Sequence, residues 1–480
     1  MAYETAAPML PAPSGDTLAK FAAIVGEKYA VSDADAQGQE PFLTEWRRLY
    51  KGRTPLILRP GSTEEVSRIL ALAHETGTAI VPQGGNTGLT GAQIPFQHEV
   101  LVSLGRMNRI RSRDPRGNSM VVEAGVTLAA AQKAAEEIDR LFPLSIGSEG
   151  SCQIGGNLAT NAGGLQVLAY GNARAQVLGL EVVLADGRVW DGLRALRKDN
   201  AGYDLRDLFI GSEGTLGIIT AAVLRVLPRP KSKATAFVGF TALEQAARFF
   251  DLALEMSAGE LTAFELMPRI GMEFVLRHAP GSRDPLGTVF PWYALIEVAS
   301  QREDGAAETA EALLTRGVET ELVADAALAA SLQQGRDFWH MREAMSEVQL
   351  HEGGSIKSDV SVPVADLPEF LRRATDAVLA IMPDCRPVPF GHYGDGNIHF
   401  NVSQPVGMDK AAFLARWDDF TGAINAIVLE FGGSISAEHG IGRMKRELLP
   451  RVKSLVEMEM MRAIKRAIDP KGILNPGKLL

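Results

Sequence analysis

The segment Pro82-Gln-Gly-Gly-Asn-Thr-Gly-Leu-Thr-Gly91 follows directly on the apolar run Ala79-Ile-Val. Four glycines, two threonines and an asparagine are gathered behind what reads as a buried strand. Glycines allow successive backbone N–H groups to converge on a diphosphate at close range, and threonine hydroxyls add donors. The segment is not a P-loop, because no Gly-Lys-Ser/Thr follows. Nor is it a Rossmann turn, because no Gly-x-Gly-x-x-Gly opens a helix. Seen alone, it reads more simply as a flexible connection.

Two further segments change that reading. Ser148-Glu-Gly-Ser-Cys-Gln-Ile-Gly-Gly-Asn-Leu-Ala-Thr-Asn-Ala-Gly-Gly164 is a second polar glycine loop. Asp207-Leu-Phe-Ile-Gly-Ser-Glu-Gly-Thr-Leu-Gly-Ile-Ile-Thr220 is a third. Each lies beside apolar, strand-like sequence. Together they suggest one long ligand held mainly by backbone groups, a demand that flavin adenine dinucleotide (FAD) meets.

Composition narrows the alternatives. The 480 residues carry 49 Lys+Arg and 58 Asp+Glu, a net charge of −9, which argues against a nucleic-acid partner. Two cysteines, Cys152 and Cys385, cannot build a disulfide framework or a cysteine-rich zinc module. The first eight residues contain neither a basic nor an apolar leader segment, and no apolar run approaches the roughly 18 residues that cross a bilayer. A cytoplasmic setting without a transmembrane segment is therefore expected.

Along the chain, Ser62-Thr-Glu-Glu reads as a capping box for a helix over 66–76 closed by Gly77. Leu227-Pro-Arg-Pro-Lys231 suits a domain boundary. Beyond it, alternating segments at 234–240 and 292–298 mix with helical runs at 243–256, 305–317 and 328–350, the rhythm of an antiparallel α+β domain.

A second chemical signature lies in that domain. Val388-Pro-Phe-Gly-His-Tyr-Gly-Asp-Gly-Asn-Ile-His-Phe-Asn-Val402 carries Asp395-Gly396 between apolar runs, a two-residue hairpin signal. With those two residues as the loop, His392 lies opposite His399, near enough for two imidazoles to share a metal, and Asn401 alternates onto the same face. A different register would separate the pair. Ser434-Ile-Ser-Ala-Glu-His-Gly-Ile-Gly442 then places Glu438 and His439 in a glycine-flanked turn. Two histidines and a glutamate with an open position suit Zn²⁺, and less so Mn²⁺, as a Lewis acid beside His439 as base. Structural histidines and a capping glutamate are the alternative.

Residues 55–225 resemble the FAD-binding domain of the vanillyl-alcohol oxidase type flavoproteins, and Asn475-Pro-Gly-Lys478 resembles that family's closing motif. The resemblance implies an α+β fold: a two-subdomain FAD domain over 1–228, an antiparallel-sheet substrate (cap) domain over 229–430, and a helical segment over 431–480 returning to the FAD domain. It assigns diphosphate contacts to Gly84, Gly85, Asn86, Thr87 and Gly88. Contacts to ribose, flavin and diphosphate fall on Ser148, Ser151, Gly155, Gly156, Thr160, Asn161 and Gly164, with Ile218 and Asn475 completing the set. No histidine lies in the loops, so the FAD is expected to be non-covalent.

The histidine motifs are similar to those of the FAD-linked D-2-hydroxyacid dehydrogenase branch, which implies His392, His399 and Glu438 as metal ligands and His439 as catalytic base. Phe338-Trp-His-Met-Arg-Glu-Ala-Met-Ser346 puts Arg342 and Ser346 on one helical face, and Lys357 lies on the polar face of a strand. Each cation alone reads as a solvated charge. Their context resembles D-2-hydroxyglutarate dehydrogenases, implying substrate contacts from Arg342, Ser346, Lys357 and Asn401, although Ser346 stands where that group carries threonine. The expected reaction is oxidation of D-2-hydroxyglutarate to 2-oxoglutarate. D-lactate, glycolate or D-malate are alternative substrates, and a catalytically silent flavin-binding electron-transfer subunit is the alternative from another class. An electron-transferring flavoprotein or other soluble carrier is the expected acceptor, with a homodimer as the candidate assembly.

Overall fold

The computed structural model describes residues 10–480; the leader reading of the first eight residues lies outside them. The chain divides into two compact units. One comprises the residues up to Gly164, Asn172–Pro228 and Glu438–Leu480; the other comprises Leu165–Gly171 and Arg229–Ala437. The sequence boundaries need correction in two places. Residues Leu165–Gly171 leave the FAD domain for the second unit, because Leu168 packs into that unit's core and Gln166 donates to Glu297 there. The C-terminal segment begins at Glu438 rather than at 431, because Ser434 still pairs with Ser361 in the second unit.

The first unit holds two principal sheets. A four-stranded sheet runs Ala30–Ser32, Leu56–Leu58, Val100–Ser103, Ile80–Gln83, and all its pairs but the first are parallel. The helix Thr63–Thr76 packs on it through Val66, Ile69, Leu70 and Ala73. Ser62 caps that helix by accepting from the Glu65 N–H, and Gly77 ends it in the left-handed conformation. Removing such a cap costs roughly 1 kcal/mol. Glu65 reaches back to the Gly61 N–H instead of Ser62's own, a variant of the expected box. Ile80 donates its N–H to the Ile473 carbonyl and accepts from the Asn475 N–H, at 2.8 Å each, tying residues 473–475 to the strand that enters the glycine loop.

A five-stranded antiparallel sheet orders Ile110–Asp114, Ser119–Glu123, Ile218–Arg225, Val177–Val183, Val189–Gly192. The helix Leu128–Glu136 buries Leu128, Ala131 and Ala135 in its core.

The second unit is built on a seven-stranded, wholly antiparallel sheet. Its order is Asp325–Leu328, Ser232–Phe240, Trp292–Ser300, Leu261–Pro268, Arg386–His392, Asn397–Ser403, Ser355–Ser361. Strand periodicity of two separates its faces. Phe264, Leu266, Ile398, Phe400, Val402 and Ile356 join one apolar core with the helices Leu243–Ser257, Leu367–Ile381 and Trp417–Glu430. On the opposite face, Phe237, Leu295, Val388 and Phe390 pack against the helices Arg269–His278 and Leu332–Val348. That second face turns polar toward the Ser355–Ser361 edge. No helix among the described residues is long and apolar enough to cross a membrane.

Candidate active site

In the first unit the glycine loops pack backbone against backbone. A Cβ on Gly85 would overlap the Ser151 carbonyl oxygen, and one on Gly155 would lie 2.7 Å from the Ala124 Cβ. Only glycine fits both places. Gly84 and Gly156 are different: around Gly156 nothing lies within 4 Å, and a Cβ on Gly84 would meet only Gln153 and the Gly156 Cα at ordinary contact distance. These two glycines leave a cradle between the loops. Gly164 has φ +148, and a Cβ there would also collide with the Ser145 carbonyl oxygen.

Polar side chains of the loops divide into two sets. Asn86, at φ +56, donates to the Pro41 and Thr44 carbonyls at 3.0 Å each. Its amide therefore clamps the loop from outside, and only its backbone remains for the expected diphosphate role. Ser151 donates to the Ser148 carbonyl, Thr160 to the Gly156 carbonyl, and the Asn161 side-chain oxygen Oδ1 accepts from the Arg174 backbone N–H. In contrast, the side-chain oxygens of Gln153 and Asn475 are buried with no hydrogen-bond partner. Buried acceptors are rarely left so. The hydroxyl and ring N–H donors of FAD suit them, and Gln153 lies beside Gly84. These residues therefore fit the cofactor. Thr87, Gly88 and Ser148 belong to the same two loops, and Ile218 opens the strand Ile218–Arg225 at 1% exposure.

The Glu438–Gly442 turn is pinned in this unit by Glu213 of the third glycine segment and Thr90 of the first. Glu213 accepts the Ile441 and Gly442 N–H groups, both at 2.7 Å, and burial pushes its carboxyl above the usual range. Thr90 donates to the His439 carbonyl and accepts from the Arg443 N–H. The Glu438 carboxylate lies over Gly163, where a Cβ would come within 3.1 Å of it.

In the second unit the hairpin register differs from the expected one. His392 pairs with Asn397, and His399 faces Phe390. The loop is longer, Tyr393 to Gly396, because buried Tyr393 packs against Phe250 and Phe264 and pulls the turn into the core. The pair is not separated, since His392 and His399 remain diagonal neighbours on one face. Their ring centroids are 5.5 Å apart at 76°.

That face gathers most of the remaining assigned residues. Lys357 faces Asn401 and Asp359 faces His399 across the edge pair, while His392 faces Glu265 on its other side. The Asn397 amide donates to Asp359 at 3.0 Å, and Asp359 lies 4.0 Å from His399 Nδ1. Lys357 Nζ donates to the Ser346 carbonyl at 3.0 Å. Arg342, 4% exposed, donates through Nε to Glu265 Oε2 at 2.7 Å, and His392 Nδ1 lies 2.7 Å from Glu265 Oε1. Burial alone would raise the Glu265 carboxyl, but His392 and Arg342 outweigh it and hold it down at about 2. Burial pushes Asp395, in the turn, up to about 6. Glu265 and Asp359 were missed by sequence reasoning. The available signal was a lone carboxylate in each of two otherwise strand-like runs. Glu438 and His439 belong to the first unit and begin one peptide bond after Ala437.

A backbone cradle suited to FAD in one unit, and a face of imidazoles and cations in the other, define a flavin-dependent oxidoreductase. Known proteins agree. Residues 54–192 match the FAD binding domain family, and 229–479 match the C-terminal domain of FAD linked oxidases. The chain is 39% identical to the mitochondrial D-2-hydroxyglutarate dehydrogenase of Arabidopsis thaliana, covering 96% of this chain and 80% of that one. It is 39% identical to the mitochondrial enzyme of the same name from Bos taurus, covering 93% and 80%. The solved structure of p-cresol methylhydroxylase with substrate bound superposes with a TM-score of 0.74 at 16% identity, covering 97% and 96%, and shares the fold. The chain thus belongs to the FAD-linked oxidase family of vanillyl-alcohol oxidase type, in the branch of the D-2-hydroxyglutarate dehydrogenases. The expected cytoplasmic setting is overturned by these relatives, which are named mitochondrial. A low cysteine count and an acidic balance suit any reducing compartment, so composition could not have chosen between them.

Proposed function

We propose that the protein oxidises D-2-hydroxyglutarate to 2-oxoglutarate with non-covalent FAD and a divalent metal, Zn²⁺ ahead of Mn²⁺. The observation that carries this reading is the single sheet face bearing His392, His399, Asn401, Lys357 and, through Glu265, Arg342. Two imidazoles there suit a metal bound to a hydroxyl and one carboxylate. Two cations on the same face suit a substrate with a second carboxylate.

His392, His399 and Glu438 would hold the metal. With Nδ1 protonated toward Glu265, His392 carries its lone pair on Nε2, the arrangement a ligating imidazole uses. Bound there, the metal would make the substrate 2-hydroxyl more acidic. FAD in the glycine cradle would accept the C2 hydride. Arg342, Ser346, Lys357 and Asn401 bind and orient the two carboxylates, and His439 takes the hydroxyl proton near neutral pH. Electrons pass on to an electron-transferring flavoprotein or another soluble carrier, from a protein that we read as a homodimer.

Initial rates with an artificial dye on D-2-hydroxyglutarate, D-malate, D-lactate and glycolate test the substrate. The dicarboxylate is expected to have the highest kcat/KM. Preference for lactate or glycolate would overturn the assignment, and inactivity on all four after FAD and metal reconstitution would favour a silent electron-transfer subunit.

A further inference from the structure

We propose that Glu265 is a positioning residue that couples the metal-binding and carboxylate-binding parts of the site, one carboxylate holding His392 through Oε1 and Arg342 through Oε2. The proposal rests on the reading of His392 as a metal ligand and Arg342 as a substrate contact.

Glu265 is 1% exposed in the strand Leu261–Pro268, every residue of which is buried. Placing a carboxylate among aliphatic neighbours is unfavourable unless both oxygens are matched, and here they are matched by groups with different tasks. His392 stands directly opposite Glu265 in the sheet, so the backbone register itself sets their approach at 2.7 Å. Arg342 comes from the helix Leu332–Val348 and reaches the other oxygen.

Arg342 does not close on that carboxylate as a fork. Its Nε donates to Oε2, and its buried Nη2 lies 2.7 Å from the same oxygen, so both nitrogens converge on one carboxylate oxygen. An ion pair serving stability alone gains most from two parallel bonds to two oxygens. Here the second oxygen belongs to His392, which leaves the terminal edge of the guanidinium for another acceptor. The Phe390 ring, 4.9 Å from Cζ, bounds the guanidinium on one side. Glu265 thereby fixes two things at once: the His392 tautomer and the direction in which Arg342 presents its N–H groups.

The test uses the FAD-loaded, chelator-stripped protein and its Glu265→Gln and Glu265→Asp variants. Zinc affinity is measured by competition with a chromophoric chelator, and kcat and KM are measured with D-2-hydroxyglutarate. Flavin content and Tm are followed as controls. In Glu265→Gln, zinc is expected to bind roughly ten- to hundredfold more weakly, the loss typical of an outer-shell partner. KM is expected to rise more than kcat falls, at unchanged flavin content. Aspartate is one methylene shorter and cannot reach both partners, so it too is expected to lose zinc affinity or raise KM, which decides the matter where glutamine prevents folding. Variants with wild-type zinc affinity and KM, whether or not Tm falls, would overturn the proposal. A wild-type protein that takes up no zinc overturns the metal reading beneath it, and that result is visible before any variant is made.

Discussion

Lys357 stands directly opposite Asn401 across the edge pair of the seven-stranded sheet, and its ammonium donates to the Ser346 carbonyl at 3.0 Å. The strand that carries Asn401 also carries His399, two residues earlier and on the same face. This places a cation beside the imidazoles, where a second substrate carboxylate is to be recognised. A charged hydrogen bond contributes about 1.5–3 kcal/mol. Lys357→Met is therefore expected to lower kcat/KM for D-2-hydroxyglutarate by roughly ten- to hundredfold. D-lactate, which has no second carboxylate, should be little affected, and steady-state kinetics on both acids check the difference.

The FAD cradle depends on a contact that only glycine permits. In Gly85→Ala the new Cβ collides with the Ser151 carbonyl, a backbone atom that cannot rotate away. The variant is expected to keep its far-ultraviolet circular dichroism but purify with little flavin. Full flavin absorbance in that variant would show that the loops can part without loss.

The hairpin turn makes a separate demand. Gly396 has φ +82, and a Cβ there would strike the Val362 carbonyl. A β-branched residue in that conformation is strained by about 1–3 kcal/mol before any displacement of the neighbouring strand. Gly396→Val is expected to lower stability in urea and, by shifting the turn, to weaken activity more than stability.

Much of this was legible in the residues, and the exceptions have physical causes. Glycine loops announce themselves because only one residue type tolerates such close backbone approach, as at Gly85 and Gly155. The Asp395-Gly396 signal correctly located a hairpin but not its loop length, because burial of Tyr393 against Phe250 and Phe264 is a tertiary effect. Local turn chemistry contains no trace of it. Asn86 illustrates the converse: its position in a ligand loop suggested contact with the ligand, yet its amide serves the chain at Pro41 and Thr44. Glu265 and Glu213 were invisible for a simpler reason. A carboxylate's task is set by partners distant in sequence, His392 and Arg342 for one, the N–H groups of Ile441 and Gly442 for the other.

Acid stability of the second unit should carry the mark of Glu352. This carboxylate meets Arg277 at 2.6 Å, His278 at 2.7 Å and Arg386 at 2.6 Å. Burial favours the neutral acid, but Arg386, His278 and Arg277 outweigh it and hold the group down at about 2. A depressed carboxylate contributes stability that is fully present above its unfolded value and is lost as pH falls toward the folded one. Denaturant midpoints should therefore drop between about pH 4.5 and 2, and Glu352→Gln should be less stable at pH 7 with a shallower acid slope. Equal slopes in the two proteins would remove Glu352 from the explanation.

The central claim joins a flavin cradle to a metal-assisted hydroxyacid site. Anaerobic titration of the purified, FAD-loaded protein with D-2-hydroxyglutarate, followed by flavin absorbance with and without prior chelation, tests it most directly. Full bleaching near one equivalent, abolished by chelator and restored by Zn²⁺ or Mn²⁺, is the expected result. Bleaching that is indifferent to chelator, or no bleaching in the metal-loaded protein, would contradict it.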